Sequence, residues 1–436
     1  MALTIGSEVD LGPLGPGRIT DLLGQGGQGI VFQVVLANGE ALALKWYRPG
    51  SATPEQRREI QTLVEYGAPH QRFLWPISLA RATDEPEFGY AMPLREDRFL
   101  ELSYLLANTD REGRPLSVSF DSTTSMCRQL SHAFLRLHAR GMCYRDISFG
   151  NVFFDPGNGN ILICDNDNVG VDDGSSRVLG TPFFMAPEVV RDLTCQTLPS
   201  TDTDRHSLAV LLFYMLFLGH PFEGARTDEG LRDAAWLLSH FGTDPLFCLH
   251  PERADNRPPD IVRQYWRIYP AFLRELFVQA FVAGVEEPGR RVTEGQWIKA
   301  LDRLRDGLVR CGSCRATGFW DPAEPDGGCR VCEAPLRPPY VLRIGRRTVA
   351  VGPAATVSTD HLASGVEDPV VLGRVRPHPQ DATRWGLHNE STDAWEAVVR
   401  DGQRVRLDPD RTLEISDGLE IRVGTVTVVA RRTEGV

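Results

Sequence analysis

The chain has 436 residues, 42% of them hydrophobic and 24% charged, with a formal net charge of −11. That balance suits two to four globular domains and argues against bulk nucleic-acid binding, which needs a basic surface. The opening Met1–Glu8 lacks the charged-then-apolar pattern of a secretory signal. The longest apolar run, Leu208–Leu218, falls short of the ~20 residues of a membrane span, so a buried helix is expected there. Cys127, Cys143, Cys164, Cys195 and Cys248 lie scattered among apolar or small residues, as buried free thiols do, and point to a reducing cytoplasm.

Arg18–Leu23 reads as a strand, followed by Gly24-Gln25-Gly26-Gly27-Gln28-Gly29 and a second apolar strand, Ile30–Leu36. Asn38-Gly39 is a two-residue hairpin turn, and Ala41–Lys45 is the third strand. A dinucleotide fold needs a helix directly after its glycines. A strand follows here, so the glycines suit a flap whose bare backbone N–H groups approach phosphates. Lys45 and Lys299 are the only lysines in an arginine-rich chain, which marks Lys45 as a place where an ammonium is needed. Thr53 can cap the next helix, with Pro54 in its first position, Gln56 completing a capping box and Gly67 ending it. Ile60, Leu63 and Val64 give that helix its apolar face. Ser122–Arg140, closed by Gly141, carries the stripe Met126, Leu130, Phe134 and Leu137, with His132 and His138 read as packing or surface residues. Cys143-Tyr144-Arg145-Asp146-Ile147-Ser148-Phe149-Gly150-Asn151 follows. A hairpin of Val152–Asp155 and Asn160–Cys164 then delivers Asp165-Asn166-Asp167. Farther on come Gly180-Thr181-Pro182-Phe183-Phe184-Met185-Ala186-Pro187-Glu188, Asp204 at the head of the apolar helix, Arg291, and a helix over Trp297–Leu308.

Taken in order, these segments resemble the eukaryotic-like (Hanks-type) Ser/Thr protein kinases of bacteria, from about residue 18 to 308. The resemblance implies a bilobal kinase fold, with an N-lobe over about 18–93 and a C-lobe over about 94–308, behind an N-terminal extension of residues 1–17. It implies ATP and Mg²⁺ as cofactors. Gly24, Gly26, Gly27 and Gly29 would cover the phosphates, Val31 and Ala43 would line the adenine pocket, and Lys45 would reach the α- and β-phosphates. Asp146 would be the catalytic base, while Asn151 and Asp165 would hold magnesium. A helix glutamate should pair with Lys45; Glu59 is the choice, with Glu55 and Glu65 as alternatives. Asn166 and Asp167 depart from the usual Phe and Gly, and the expectation for Asp167 is a solvated charge rather than a metal contact. Ser148 stands where a Lys is usual. Thr181 would sit against Asp146, Asp204 would hold the catalytic-loop backbone, and Glu188 would pair with Arg291. Arg145 would meet a phosphorylated residue of the activation segment, where Ser175 and Ser176 are the nearest hydroxyls and Asp172 and Asp173 could substitute for phosphate.

Cys311-Gly312-Ser313-Cys314 and Cys329-Arg330-Val331-Cys332 are two C-x₂-C knuckles fourteen residues apart. This spacing suits four thiolates around one structural Zn²⁺; two disulfides are the alternative, and a redox C-x-x-C would be single. The Pro- and Gly-rich stretch between the knuckles has too little apolar material to fold alone, so a zinc ribbon is expected over residues 309–336.

Beyond Pro335–Pro339 short strands follow: Tyr340–Ile344, Thr348–Val351, Pro369–Val375, Trp385–His388, Trp395–Val399, Arg404–Leu407, Thr412–Ile415 and Leu419–Val429. This order is similar to forkhead-associated phosphothreonine-binding domains. Ile344-Gly345-Arg346 and Ser358-x-x-His361 match their phosphate elements, whereas Asp393-Ala394 replaces the usual Asn-Gly. A degenerate β-sandwich used for docking is expected over 337–436. The whole chain then reads as a multidomain α+β protein.

The leading functional expectation is a kinase that phosphorylates Ser or Thr of a protein substrate. The alternative, motivated by Ser148 and Asp165-Asn166-Asp167, is a catalytically weak nucleotide-binding scaffold. A cognate phosphatase or another stress-operon protein is the suggested partner; no membrane or nucleic-acid partner is expected.

Overall fold

Strict alternation along Ala41–Tyr47 decides where the cleft lies. Leu42, Leu44 and Trp46 pack into one apolar cluster with Val9, Leu11, Ile19, Phe32 and Val34. Ala43 and Tyr47 face the opposite way, toward the main core, and Lys45 shares their side because strand side chains repeat every two residues. The computed structural model describes residues 3–83, 85–171, 180–192, 194, 196–399 and 401–433. Asp172, Asp173, Ser175, Ser176 and Cys195 lie outside the described residues.

The N-terminal sheet is antiparallel, in the order β1-β2-β3-β4-β6-β5. Its strands are β1 (Glu8–Asp10), β2 (Pro16–Gln25), β3 (Gly29–Leu36), β4 (Ala41–Tyr47), β5 (Ser78–Ala80) and β6 (Gly89–Pro93). The segment expected as a separate extension, 1–17, instead supplies β1, which pairs Glu8 with Arg18 and buries Val9. Helix α1 (Pro54–Tyr66) starts as expected, with Thr53 Oγ1 accepting the Gln56 N–H at 3.1 Å, and ends at Gly67 with φ 68°. The Gln56 side chain does not close a capping box; it leaves for the cleft.

The C-lobe is built on α2 (Phe120–His138), α3 (Thr201–Phe217) and α4 (Glu294–Asp306). Met126, Leu130, Phe134 and Leu137 of α2 are all fully buried. Helix α3 is capped by Ser200 in a reciprocal box with Thr203, and its run from Leu208 to Phe213 is wholly enclosed, as expected of a core helix. The expected hairpin is present as Val152–Phe154 paired with Ile161–Ile163.

After α4 the chain forms a short ladder of Leu308–Arg310 with Thr317–Phe319, which carries the first cysteine knuckle. The C-terminal region is two antiparallel sheets of six and four strands around one core, including Leu342, Ile421 and Val428 from one sheet and Val357, Val375 and Leu387 from the other. Two details differ from expectation. Leu419–Val429 is not one strand but a hairpin, Glu420–Val423 with Val426–Arg432, turning at Gly424 with φ 57°. Thr356–Ser358 is a further strand that its short apolar content did not reveal.

The sandwich is fastened to the two lobes by charge, much of it buried. Arg128 of α2 bonds Asp302 at 2.7 Å and the backbone oxygens of Val366 and Glu367, each at 2.8 Å. Asp306, the last residue of α4, accepts both arms of Arg347 at 2.7 and 2.8 Å and the His361 Nε2–H at 3.1 Å. Asp368 takes Arg72 and Gln71 of the segment after α1.

Candidate active site

The glycine flap is the turn between β2 and β3, closed by Gly26 N–H to Gly29 O at 2.9 Å. A Cβ at Gly24, Gly26 or Gly27 would meet nothing within 4 Å, so these three leave open space where a phosphate chain can lie. Gly29 is different: a Cβ there would come within 2.4 Å of the Trp46 carbonyl, so strand packing requires it. Ala43 is buried and Val31 half-buried beneath the flap.

Asp146 stands on the loop after α2. Its Oδ1 accepts the Thr181 hydroxyl at 2.6 Å, and Asn151 Nδ2 donates to its backbone oxygen at 2.8 Å and to Oδ2 at 3.3 Å. Asp204 Oδ2 and Oδ1 hold the Tyr144 and Arg145 amides at 2.5 and 2.9 Å. Arg291 forms a two-pronged pair with Glu188 at 2.7 and 2.8 Å. The Thr181–Asp146, Asp204–backbone and Arg291–Glu188 contacts were expected from the resemblance; the Asn151–Asp146 bonds were not. The Arg145 guanidinium donates to the carbonyls of Asn168 and Val171.

Asp204 is itself backed by His138, which sits between Asp204 at 3.1 Å and Glu294 at 2.8 Å. His138 is thus a buried charged group, not a packing residue. Burial works against its charge, but the two carboxylates outweigh it and lift its pKa from 6.5 to about 9. Burial likewise opposes the Glu294 charge, yet His138 and Arg205 pull it down to about 2. A raised histidine contributes stability that is complete below 6.5 and is lost as pH rises through about 9. A depressed carboxylate loses its share only as pH falls toward 2. We expect the melting temperature to fall between pH 6.5 and 9, and His138→Gln to start lower and lose this slope. Scanning calorimetry across that window checks it; an unchanged slope in the variant refutes the assignment.

The Lys45 partner differs from expectation. Glu59 is on the exposed side of α1, Glu55 pairs with Arg58, and Glu65 accepts from Gln61. None of the three reaches Lys45. Its ammonium instead contacts Asp165 at 2.5 Å and both oxygens of Asp167, at 2.8 and 3.0 Å, with Gln28 at 3.3 Å. Asp167, expected in solvent, has a fully enclosed side chain, whereas that of Asp165 is 38% exposed. Burial opposes its ionisation, yet Lys45 and the Tyr47 hydroxyl hold the Asp167 pKa below the usual carboxylate range. Partial loss of water in the cleft and the Asp167 charge push Asp165 up to about 6. Asn166, in the place of the usual Phe, is also buried and donates to the Leu74 and Ile163 carbonyls at 2.8 and 3.2 Å. Hydrogen bonds replace apolar packing there.

Sequence reasoning therefore missed Asp167, Tyr47 and Gln56. Gln56 Nε2 donates to the Tyr47 hydroxyl and to the Asp167 backbone oxygen, both at 3.2 Å. Part of the signal was available: Ile60 and Leu63 are the buried face of α1 and Gln56 is one turn before Ile60 on that face, while Glu59 flanks it and stays exposed. The donor set fits a nucleotide with its metal. Open glycines, a cation, and a carboxylate and an amide beside the base are what a phosphate chain with magnesium requires.

The four cysteines converge. Cys311 and Cys332 Sγ atoms are 3.6 Å apart, Cys314 and Cys329 3.5 Å, and all four lie within 4.8 Å of one another. Four thiolates at ~2.3 Å from one Zn²⁺ would be ~3.8 Å apart, while a disulfide needs ~2.05 Å. The backbone amides of Cys314 and Ser313 draw the Cys311 thiol down to about 6. His70, His132 and Glu367 also cluster within 4.8 Å. His70 Nδ1 accepts the Arg72 N–H at 3.2 Å, so its proton is on Nε2, which points at Glu367 at 3.3 Å and has no lone pair for a metal.

A glycine flap above a cation, with an aspartate and an amide below, is the arrangement of a protein kinase cleft. The sequence profile of the protein kinase domain matches residues 18–244, over half the chain, and the chain belongs to the protein kinase family. It is similar to "Protein kinase YegI" of Escherichia coli strain K12, with 24% identity over 312 residues, covering 68% of this chain and 46% of that relative. The chain thus spans about half the length of that curated relative. CBL-interacting protein kinase 4 of Oryza sativa is 28% identical over 300 residues, with 64% of this chain and 63% of the relative covered. Protein kinase C delta type of Rattus norvegicus is 36% identical over 97 residues, 21% of this chain and 14% of the relative.

Proposed function

We propose that the chain is an ATP- and Mg²⁺-dependent serine/threonine kinase acting on a protein substrate. The observation that carries this reading is Thr181 Oγ1 donating to Asp146 Oδ1 at 2.6 Å. The contact sets the floor of the acceptor site beside the base and suits an aliphatic hydroxyl. Magnesium, when bound, neutralises charge on the β- and γ-phosphates. Asp165 and Asn151 would hold it, Lys45 would orient the phosphates, and Asp146 would accept the hydroxyl proton.

The scaffold alternative is supported by Ser148, which is buried and brings no cation beside the base. Radiolabelled ATP with a generic protein substrate separates the two, followed by identification of the modified residue type. Phosphoserine or phosphothreonine is expected; phosphotyrosine alone overturns the specificity, and ATP binding without transfer overturns the enzyme.

The four-thiol centre is read as structural Zn²⁺ in a ribbon over 309–336, since no ligand position is left open. The sandwich, forkhead-associated-like by its sequence elements, is read as a docking module. Its Ser358 hydroxyl bonds Asp360 at 2.5 Å and its His361 holds Asp306, which weighs against phosphopeptide reading, whereas Arg346 of the other phosphate element is exposed. A cytoplasmic location accords with the buried thiols of Cys127 and Cys248. A phosphatase partner rests on the module order alone.

A further inference from the structure

Lys45 is enclosed, 8% exposed, between two carboxylates of unequal accessibility. Asp165 opens to the cleft and Asp167 does not. If Lys45 had only Asp165, its ammonium would compete with the metal for that carboxylate. Asp167 lessens the conflict: the ammonium touches Asp165 Oδ1 at 2.5 Å, but Asp167 meets it with both oxygens, is fixed from behind by the Tyr47 hydroxyl at 2.5 Å, and so holds the cation when a metal takes Asp165. Gln56 of α1 touches that hydroxyl and the Asp167 backbone, so the helix contributes through a neutral amide and no glutamate. We propose that Asp167 is the positioning residue for Lys45, in place of a carboxylate on α1, and that it thereby leaves Asp165 available to the metal.

The inference rests on the kinase reading for its rate measurements but not for its binding measurements. Lys45 is then held by the segment that also carries Asp165, so the cation and the metal carboxylate move together. Among the described residues, α1 hydrogen-bonds this assembly through Gln56, which meets Tyr47 and the Asp167 backbone. A swing of α1 that breaks the Gln56 contacts leaves the Lys45–Asp167 pair intact.

The test compares full-length wild type with Asp167→Asn, Tyr47→Phe and Glu59→Gln. Calorimetry gives the affinity for ATP relative to adenosine, and steady-state assays give kcat and the Mg²⁺ concentration for half-maximal rate. Asp167→Asn should cut kcat by ~10²-fold, the scale of losing one preorganised electrostatic group. It should also raise the Mg²⁺ requirement severalfold and lower ATP affinity while adenosine affinity holds. Tyr47→Phe should show the same pattern, only weaker, and keeps the test open if Asp167→Asn fails to fold. Glu59→Gln should match wild type. A merely structural role for Asp167 would depress ATP and adenosine binding together. That outcome overturns the proposal, as does an unchanged ATP-to-adenosine ratio in both site variants or a large loss in Glu59→Gln. A wild type that binds ATP but transfers no phosphate would refute the kinase reading alone, since the binding ratio still reports the anchor.

Discussion

Asp146→Asn is expected to slow phosphoryl transfer by about 10²–10⁴-fold, the range for loss of a positioned general base. The substitution is nearly isosteric, and Asn151 and Thr181 can still hydrogen-bond the amide, so the loop should keep its shape. What disappears is the lone pair that takes the hydroxyl proton. Lys45→Met and Asp165→Ala should likewise abolish transfer; Lys45→Met also strands the enclosed Asp167 without its cation and should lower the melting temperature. Single-turnover assays with circular dichroism as the folding control decide it. Near-native turnover in any of the three would remove that residue from the mechanism.

Cys329→Ser is expected to release one Zn²⁺ per chain and to loosen the C-terminal third. The apolar cluster around this centre is small: Cys311, Cys329, Trp320 and Leu336, with Val309 from the end of the kinase region and Val341 and Ala350 from the sandwich. Such a cluster does not fold a ribbon alone, whereas a structural zinc supplies about 10–16 kcal/mol in small peptides. Atomic emission should find one zinc in wild type and none in the variant, and proteolysis should then reach residues past 310. Metal-free wild type with a resistant C-terminal third would end the structural role. From sequence, residues 1–310 would bind ATP unaided. The structure makes that segment less independent, since cutting there strips buried Arg128 of the Val366 and Glu367 carbonyls and Asp306 of Arg347.

The legible parts of this molecule were those set by short-range rules. Thr53, Gly67 and the α2 stripe announce their helices because caps and periodicity act within one or two turns. Asp146, Asn151 and Asp204 announce the catalytic loop because their spacing belongs to a recognisable pattern. The pairing of Lys45 was not legible in the same way. It depends on which of several carboxylates the folded lobes bring within 3 Å, and Asp167 is 122 residues away. A charge in a polar triplet reads as solvated until a buried cation is placed against it. His138 escaped for the same reason, since both of its carboxylates come from distant helices. The hairpin at Gly424 was lost in a run rich in strand-forming residues, Thr425 included, which that glycine alone breaks.

Asp306 makes the junction between α4 and the sandwich a tethered ligand. An external anion seeking Arg347 and His361 does not meet a vacant site; it competes with Asp306 and, at Arg347, with Asp360 of the sandwich itself, carboxylates that cannot diffuse away. Its apparent affinity is scaled by the fraction of time Asp306 is out. If that is ~1%, binding is weakened ~100-fold relative to the bare sandwich. The same carboxylates keep these donors silent toward anions at modest concentration while α4 stays packed on the sandwich.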